Sequence, residues 1–569
     1  MRSTASLTSC LAVTAVAVLA GCSRWDAPLK VDLRRLVDRG QAPVDTAGSS
    51  IGDPVEVDVS EEAKRFIDEP TPPARSPGPA GELSLADLRH RVLSENLDVA
   101  VANVAPDIAR EFLDAERAKF DAAFVVGAAF TDADQPKGST TLYDVSSDAA
   151  ALDGVSGAFT EPALNREKLE AEVGLDAPLP TGGSVGVRQS LKSDDKTSGG
   201  LVSTEDRGAL RFSYSQPLLR GAGVRVNTAS IRLAEIGVGK EAARTRLTAI
   251  RVLAGAEKAY WRLYAAERVF EIRREQLDLA VANIDLVDLL IREGAAAPLE
   301  RFSAELAVAQ QKEALVGAER DLRLRSRELA VALNRDAPGI ANATDLSTTD
   351  DPDLVRYEID PEALVTRALT ERLELLEIEL ELAADSIRVD LGRNATLPAF
   401  LLDFEYGIGD RSGTLASSFA DSLDFDHQSF TIGARASIPV TNNAAEARLR
   451  RAMLSRVQRL ATRDQRRLAI SQEVYDAADV LELAWRRILA ARQSVIAAGG
   501  AYDAASRLFA DGLRNAQDVL VALQQLGDAR QKEVAAIVAY QVAQIDLAFA
   551  TGVLLGYAGA EIQAAPTVE

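Results

Sequence analysis

The chain has 569 residues, a formal net charge of −21, two histidines and two cysteines. So acidic a surface argues against the phosphate backbone of nucleic acid as a partner. It leaves a membrane open as a partner, provided the attachment does not rest on basic residues.

In chain order, residues 1–21 read as a targeting segment and are set aside from fold reasoning. Arg2 is the only charge ahead of an apolar core, Leu11–Ala20, which runs into Leu19-Ala20-Gly21-Cys22. This ending resembles the lipobox of bacterial lipoproteins, in which the cysteine becomes the acylated first residue; the alternative is an ordinary signal peptide that happens to hold a cysteine. Cys10 lies in the removed part, so neither a disulfide nor a cysteine metal site is expected. Ser23 resembles the residue that directs enterobacterial lipoproteins to the outer membrane. Residues 22–82 read as a lipidated tether, because Thr71-Pro-Pro-Ala-Arg-Ser-Pro-Gly-Pro79 suits extended backbone and not helix. Ordered structure is expected from Leu83.

Residues 84–119 have helical spacing, with Leu85, Leu88, Val92 and Leu93, then Ile108 and Phe112. A strand, Ala122–Thr131, follows. Further strand-prone segments are Leu169–Pro178, then a Pro180-Thr-Gly-Gly183 turn, Ser184–Leu191 and Leu210–Tyr214, ending at Gln216-Pro217-Leu218. Proline is tolerated at a strand end, where one ladder hydrogen bond is given up. Thr228–Glu293 then runs without a proline, a rod of roughly 100 Å if helical. It turns at Arg292-Glu293-Gly294 and returns as Leu299–Asn334. Leu277, Val281, Ile284 and Ile291, with Asp288 in the series, mark one seam on the rod. Leu279, Leu286 and Leu290 mark a second, so it has neighbours on two sides.

The order then repeats. Glu371-Arg-Leu-Glu-Leu375 answers Glu95-Asn-Leu-Asp-Val99 and leads a helix to about Arg393. The strand region Ala399–Gly409 ends at Ile438-Pro439-Val440. A second rod, Ala444–Asp511, turns at Asp511-Gly512-Leu513 and returns as Gln517–Thr551. Gly294 falls on Gly512, Glu300 on Asp518, and Ala332 on Ala550. Asn227 and Asn443 open the rods as expected N-caps, and each glycine supplies the left-handed residue that ends a helix. Such a repeat decides the fold. No run of about 20 apolar residues follows the targeting segment, so no spanning helix is expected. Four strand segments leave open edges that only further chains would close.

Two strand–rod–turn–rod repeats, the lipobox, Gln216-Pro-Leu-Leu-Arg-Gly-Ala-Gly223 and the Asn-x-Ala-x-x-Arg rod starts together resemble the outer membrane factor (TolC-like outer membrane efflux protein) family, over about residues 83–555. The resemblance implies a mainly α fold with a β part. It also implies a homotrimer whose long antiparallel helices would form a periplasmic α-barrel and whose strands would join one transmembrane β-barrel. It implies repeat 1 over 83–336, an inter-repeat linker over 337–361 forming a belt, repeat 2 over 362–553, and a C-terminal tail over 554–569. The tips at Arg292, Gly294, Gly512 and Arg514 would meet a periplasmic adaptor (membrane fusion) protein and an inner-membrane pump. Asp518, with Glu300 as its counterpart, matches the family's acidic aperture; otherwise each is a solvated helix-face carboxylate. The second acidic position of that pattern is Val521 here, and the family's Asn-Pro pair is Asn96-Leu97. The family usually has two strands per repeat, so the segment 169–191 is either an elaborated loop or extra barrel wall.

No catalytic, cofactor or metal constellation stands out. His90 and His427 lie far apart, and Gly221-Ala-Gly223 lacks the Lys-Ser/Thr of a phosphate loop. The reading is a passive outer-membrane exit duct, anchored in outer-membrane lipid and extending into the periplasm, serving efflux or type I secretion. The alternative is a lipid-anchored coiled-coil spacer of the cell envelope, which strands inserted in a bilayer would exclude.

Overall fold

A computed structural model describes residues 81–135, 164–198, 201–294, 296–341, 343, 346–412, 417, 427–511 and 513–557. Gly512 and residues 1–80, which include Cys22 and all but the end of the tether, lie outside these.

The described part opens with a two-residue strand β1 (Glu82–Leu83) and two helices, α1 (Leu85–Glu95) and α2 (Leu97–Arg117). Ser84 caps α1 by accepting from the Asp87 amide. Four strands follow: β2 (Ala123–Gln135), β3 (Leu164–Pro178), β4 (Ser184–Ser198) and β5 (Leu201–Pro217). The first rod is α3 (Ala229–Arg292), its return is α4 (Leu299–Ala332), and a short strand β6 (Ser347–Thr348) lies in the linker. The second half repeats the plan with α5 (Pro361–Glu371), α6 (Leu373–Ala395), β7 (Ala399–Ser412), β8 (Gln428–Ser437), α7 (Asn443–Ala510) and α8 (Ala516–Ala550).

Both rods are single helices, of 64 and 68 residues, far beyond what propensity alone sustains in water. Packing sustains them. Beside α3 lie α2 near the strands and α4 toward the turn, and α6 and α8 do the same for α7. Contacts of α3 with α6 and α8 join the repeats. The core is densest at mid-rod, where Tyr260 is fully buried and stands edge-on to Trp261 at 5.4 Å between ring centres.

The linker passes across this level. β6 pairs in parallel with β1. The Tyr260 hydroxyl donates to the Asp350 carboxylate at 2.9 Å. Further along, the Tyr540 hydroxyl donates to the Val355 carbonyl at 2.5 Å and Gln541 Nε2 to the Asp353 carbonyl at 2.8 Å. Bonds from both rod systems hold the linker as a strap.

Three expectations need correction. Asn227 and Asn443 are not the N-caps. Thr228 and Asn442 occupy those positions, without side-chain cap bonds. Asn227 Nδ2 is spent on the Gly221 and Gly223 carbonyls, and Asn442 Nδ2 on the Thr396 carbonyl. Val281 is 41% exposed and lies off the seam, while Ala280 and Val287 are buried. The third concerns the strands. Among the described residues six strands, not four, form one sheet, in the order β2-β3-β4-β5-β7-β8, every neighbouring pair antiparallel.

Candidate functional site

The sheet has two unlike faces. Reading across the register, one row is Phe124, Leu175, Val187, Phe212, Tyr406 and Phe430, apolar on all six strands. Successive residues of a strand alternate faces, so Val126, Phe130, Val173, Leu169, Val185, Tyr214, Phe404 and Ile432 share that side. Phe124, Val126, Phe130, Phe430 and Ile432 are each at least 66% exposed. Along β3 the apolar side runs from Ala177 to Leu169, about 27 Å at ~3.4 Å per residue, of the order of the ~25 Å apolar band of a membrane barrel. An exposed apolar area of this extent is what lipid covers and water does not.

The opposite face is small, polar and charged. Arg188 pairs with Asp176 at 2.6 Å, Lys192 with Glu170 at 3.1 Å, and Arg211 with Glu405 at 2.9 Å; Lys168 also pairs with Glu170. Glycines make room for these side chains. A Cβ on Gly174 would stand 2.6 Å from Arg188 Cγ, and one on Gly186 2.6 Å from Asp176 Oδ1.

At the helical end of the sheet, the Gln216–Gly223 segment is the junction between strand and rod. Gln216 Nε2 donates to the Thr181 carbonyl at 3.1 Å, and the Gly223 amide to the same carbonyl at 2.9 Å. The Gly221 amide donates to Asn394 Oδ1 at 2.8 Å. Gly182, Gly221 and Gly223 all have positive φ, a conformation open to glycine.

The repeats also share a joint that the sequence comparison did not assign a role. At the break between α1 and α2, Asn96 Nδ2 donates to the carbonyl of Ala332, the last residue of α4. At the equivalent break, Arg372 Nη1 donates to the carbonyl of Ala550, the last residue of α8. Each side chain thus takes up a carbonyl that its helix end leaves free. The guanidinium of Arg372 is 3% exposed; it also holds Glu374 at 2.8 Å and Glu473 at 2.9 Å. Burial disfavours the charged form of Glu374, but the hydrogen bond and charge of Arg372, with the charge of Arg466, together outweigh it and hold the carboxyl below its usual range. The matching of Glu371-Arg-Leu-Glu-Leu375 to Glu95-Asn-Leu-Asp-Val99 was the signal for this pair.

At the far end the two rod turns lie side by side. Val287, Ala304, Phe509, Ala516 and Val519 form one cluster between them. Gly294 ends α3 with φ 77°. Glu300 reaches across to the other turn, where its carboxylate accepts from the Ala516 amide at 3.3 Å, at the N-terminus of α8. Asp518 lies in that same first turn and pairs with Arg514 at 3.3 Å. Arg292 is exposed in the last turn of α3. His90, on α1, and His427, just before β8, are both exposed.

One described helix, α8, is long and apolar enough by composition to cross a membrane, with 44% of that window buried in the chain. It is packed as a core helix, against α7 and α3.

Residues 364–553 match the family model described as "Outer membrane efflux protein". No curated protein matches the sequence. Among solved structures, the chain is similar to the outer-membrane channel OprN, with TM-score 0.59 and 17% identity over 86% of this chain and 91% of that one. The Campylobacter jejuni CmeC outer membrane channel gives 0.59 and 15% over 84% and 86%. The open state of the Neisseria gonorrhoeae MtrE outer membrane channel gives 0.57 and 15% over 85% and 91%.

Proposed function

We propose that the chain, an outer membrane efflux protein by the family match over its second repeat and by its fold, is a passive outer-membrane exit duct. It conducts cargo from the periplasm to the exterior and carries out no chemistry of its own. The observation that carries this reading is the two-faced sheet at one end of paired long helices: apolar toward lipid, charged toward a lumen. A spacer that stays out of the bilayer has no use for such a sheet.

The finer reading is a homotrimer. One chain's sheet is open at β2 and β8, and open edges are not tolerated in lipid. Exposed apolar residues also line the helices, as in Val101, Ile108 and Phe112 on α2 and Leu454, Val457 and Leu468 on α7. Three copies bury these faces against one another. The tips at Arg292, Gly294, Gly512 and Arg514 meet an adaptor protein and through it an inner-membrane pump, which supplies the energy. Glu300 and Asp518 ring the aperture between the tips. Cys22 carries a lipid after removal of residues 1–21, and residues 22–82 tether it to the first repeat. The strap over 337–361 separates the repeats 83–336 and 362–553, with the tail at 554–569.

The test is the mass of the detergent-solubilised protein together with its conductance in planar bilayers. The expected result is three chains per particle and discrete channel events. A monodisperse, folded monomer that forms no channels overturns the proposal.

A further inference from the structure

The β3–β4 hairpin is not a loop laid over the wall; we infer that it is part of the wall, so that three copies close a barrel of eighteen strands, six from each chain. This rests on the reading of the sheet as one third of a membrane barrel.

Three observations carry it. First, the hairpin is paired along its whole length on both sides. Every residue of β3 from Leu164 to Asp176 has a partner on β2, and every residue of β4 has a partner on β5. Second, it continues both faces of the sheet. Leu169, Val173, Leu175, Val185 and Val187 extend the apolar side. Asp176, Arg188, Glu170 and Lys192 fill the charged side with ion pairs between β3 and β4 themselves. A loop outside the bilayer has no need of this alternation. Third, its turn is bonded into the junction from which α3 starts, through Thr181, Gln216 and Gly223.

Parity agrees. Consecutive neighbours are antiparallel, so in a six-stranded sheet β2 and β8 run in opposite directions. β8 of one copy can therefore lie antiparallel to β2 of the next, and a hairpin adds two strands without disturbing this. A wall of eighteen strands encloses a water-filled lumen of the porin class, wider than side chains can plug. The Arg188–Asp176 and Lys192–Glu170 pairs then line a wide, polar exit. It passes hydrophilic cargo, and selection by size falls to the helical end of the duct.

Cysteine substitution in the full-length protein, held in lipid nanodiscs, tests this. The wild-type chain sets the labelling background. Ser190→Cys on the charged face is expected to react with a membrane-impermeant maleimide. Val173→Cys and Val187→Cys are expected to lose that reaction and to keep reaction with a lipid-soluble one. Val126→Cys on β2 and Phe404→Cys on β7 serve as references for the rest of the apolar face, and retention of the wild-type particle mass shows that each variant folds. Free reaction at 173 and 187 with protection at 126 and 404 places the hairpin outside the wall and overturns the inference alone. Free reaction at all four overturns the membrane-barrel reading as well.

Discussion

Arg372 holds together three chain segments that are far apart in sequence: the start of α6, the end of α8 and Glu473 on α7. Its charge is buried, and removing it takes the donor from the Ala550 carbonyl and leaves Glu374 and Glu473 with only the longer contacts to Arg466. Arg372→Ala is expected to cost about 3–5 kcal/mol, read as a lowered thermal midpoint of the solubilised protein. Asn96→Ala, the neutral counterpart, loses the bond to Ala332 and also the N-cap of α2, where its Oδ1 accepts from the Asp98 and Val99 amides, and is expected to cost about 1–3 kcal/mol. The same site gives a pH dependence. The folded protein holds Glu374 below its ordinary pKa. Its contribution to stability is therefore complete above the unfolded value of about 4.3, and is lost as the pH falls through the lower folded value. Glu374→Gln is expected to remove that part of the acid sensitivity; an unchanged acid profile in Glu374→Gln argues that the site does not hold the carboxylate as described.

At the scale of elements, the turns between rods and returning helices test the aperture. Asp518 shares its charge with Arg514, and Glu300 is engaged at the first amide of α8. Arg514→Ala is expected to strengthen cation selectivity and Asp518→Ala to weaken it. The double change of Asp518 and Glu300 to Ala is expected to weaken it further, because like charges around a constriction draw in counter-ions. Reversal potentials across a salt gradient measure this, at ionic strength near ~0.1 M so that a Debye length of about 10 Å does not hide the charges. Identical reversal potentials in all four proteins put these carboxylates outside the conducting path. The elements were largely legible in the sequence. The rods, the left-handed Gly294 and the strand-ending Pro217 carry strong local signals, since proline, glycine and helical period act within a few residues. The outer parts of β3, β4 and β5 were less so. Arg166, Lys168, Glu170, Lys192 and Asp194 suggest a solvated loop when read by polarity, yet they fall on one side of the register and form the charged face of long strands, with Leu169 and Leu191 on the other side. Their meaning depends on a lumen that no local window contains. The N-cap reading failed for a related reason. Asn227 is bonded to the Gly221 and Gly223 carbonyls, and that turn's geometry is set by packing against Asn394 and Thr181.

At the scale of the whole molecule, the proposal gives membrane attachment two independent parts. Cys22→Ser is expected to abolish incorporation of labelled fatty acid, while the sheet keeps the protein in the outer-membrane fraction; equal labelling of variant and wild type removes the lipid anchor from the account. The assembly itself is the central claim. A single chain supplies an apolar belt with two bare edges, and rods whose exposed apolar residues face outward. The proposal completes both with further copies arranged around an axis. Electron cryo-microscopy of the purified protein in lipid nanodiscs tests this most directly. The expected image is a three-fold particle with the sheet closed inside the disc, one continuous lumen, and the Gly294 turns at the end remote from the lipid. Single chains, or an assembly with its sheet outside the disc and no lumen, would contradict the account.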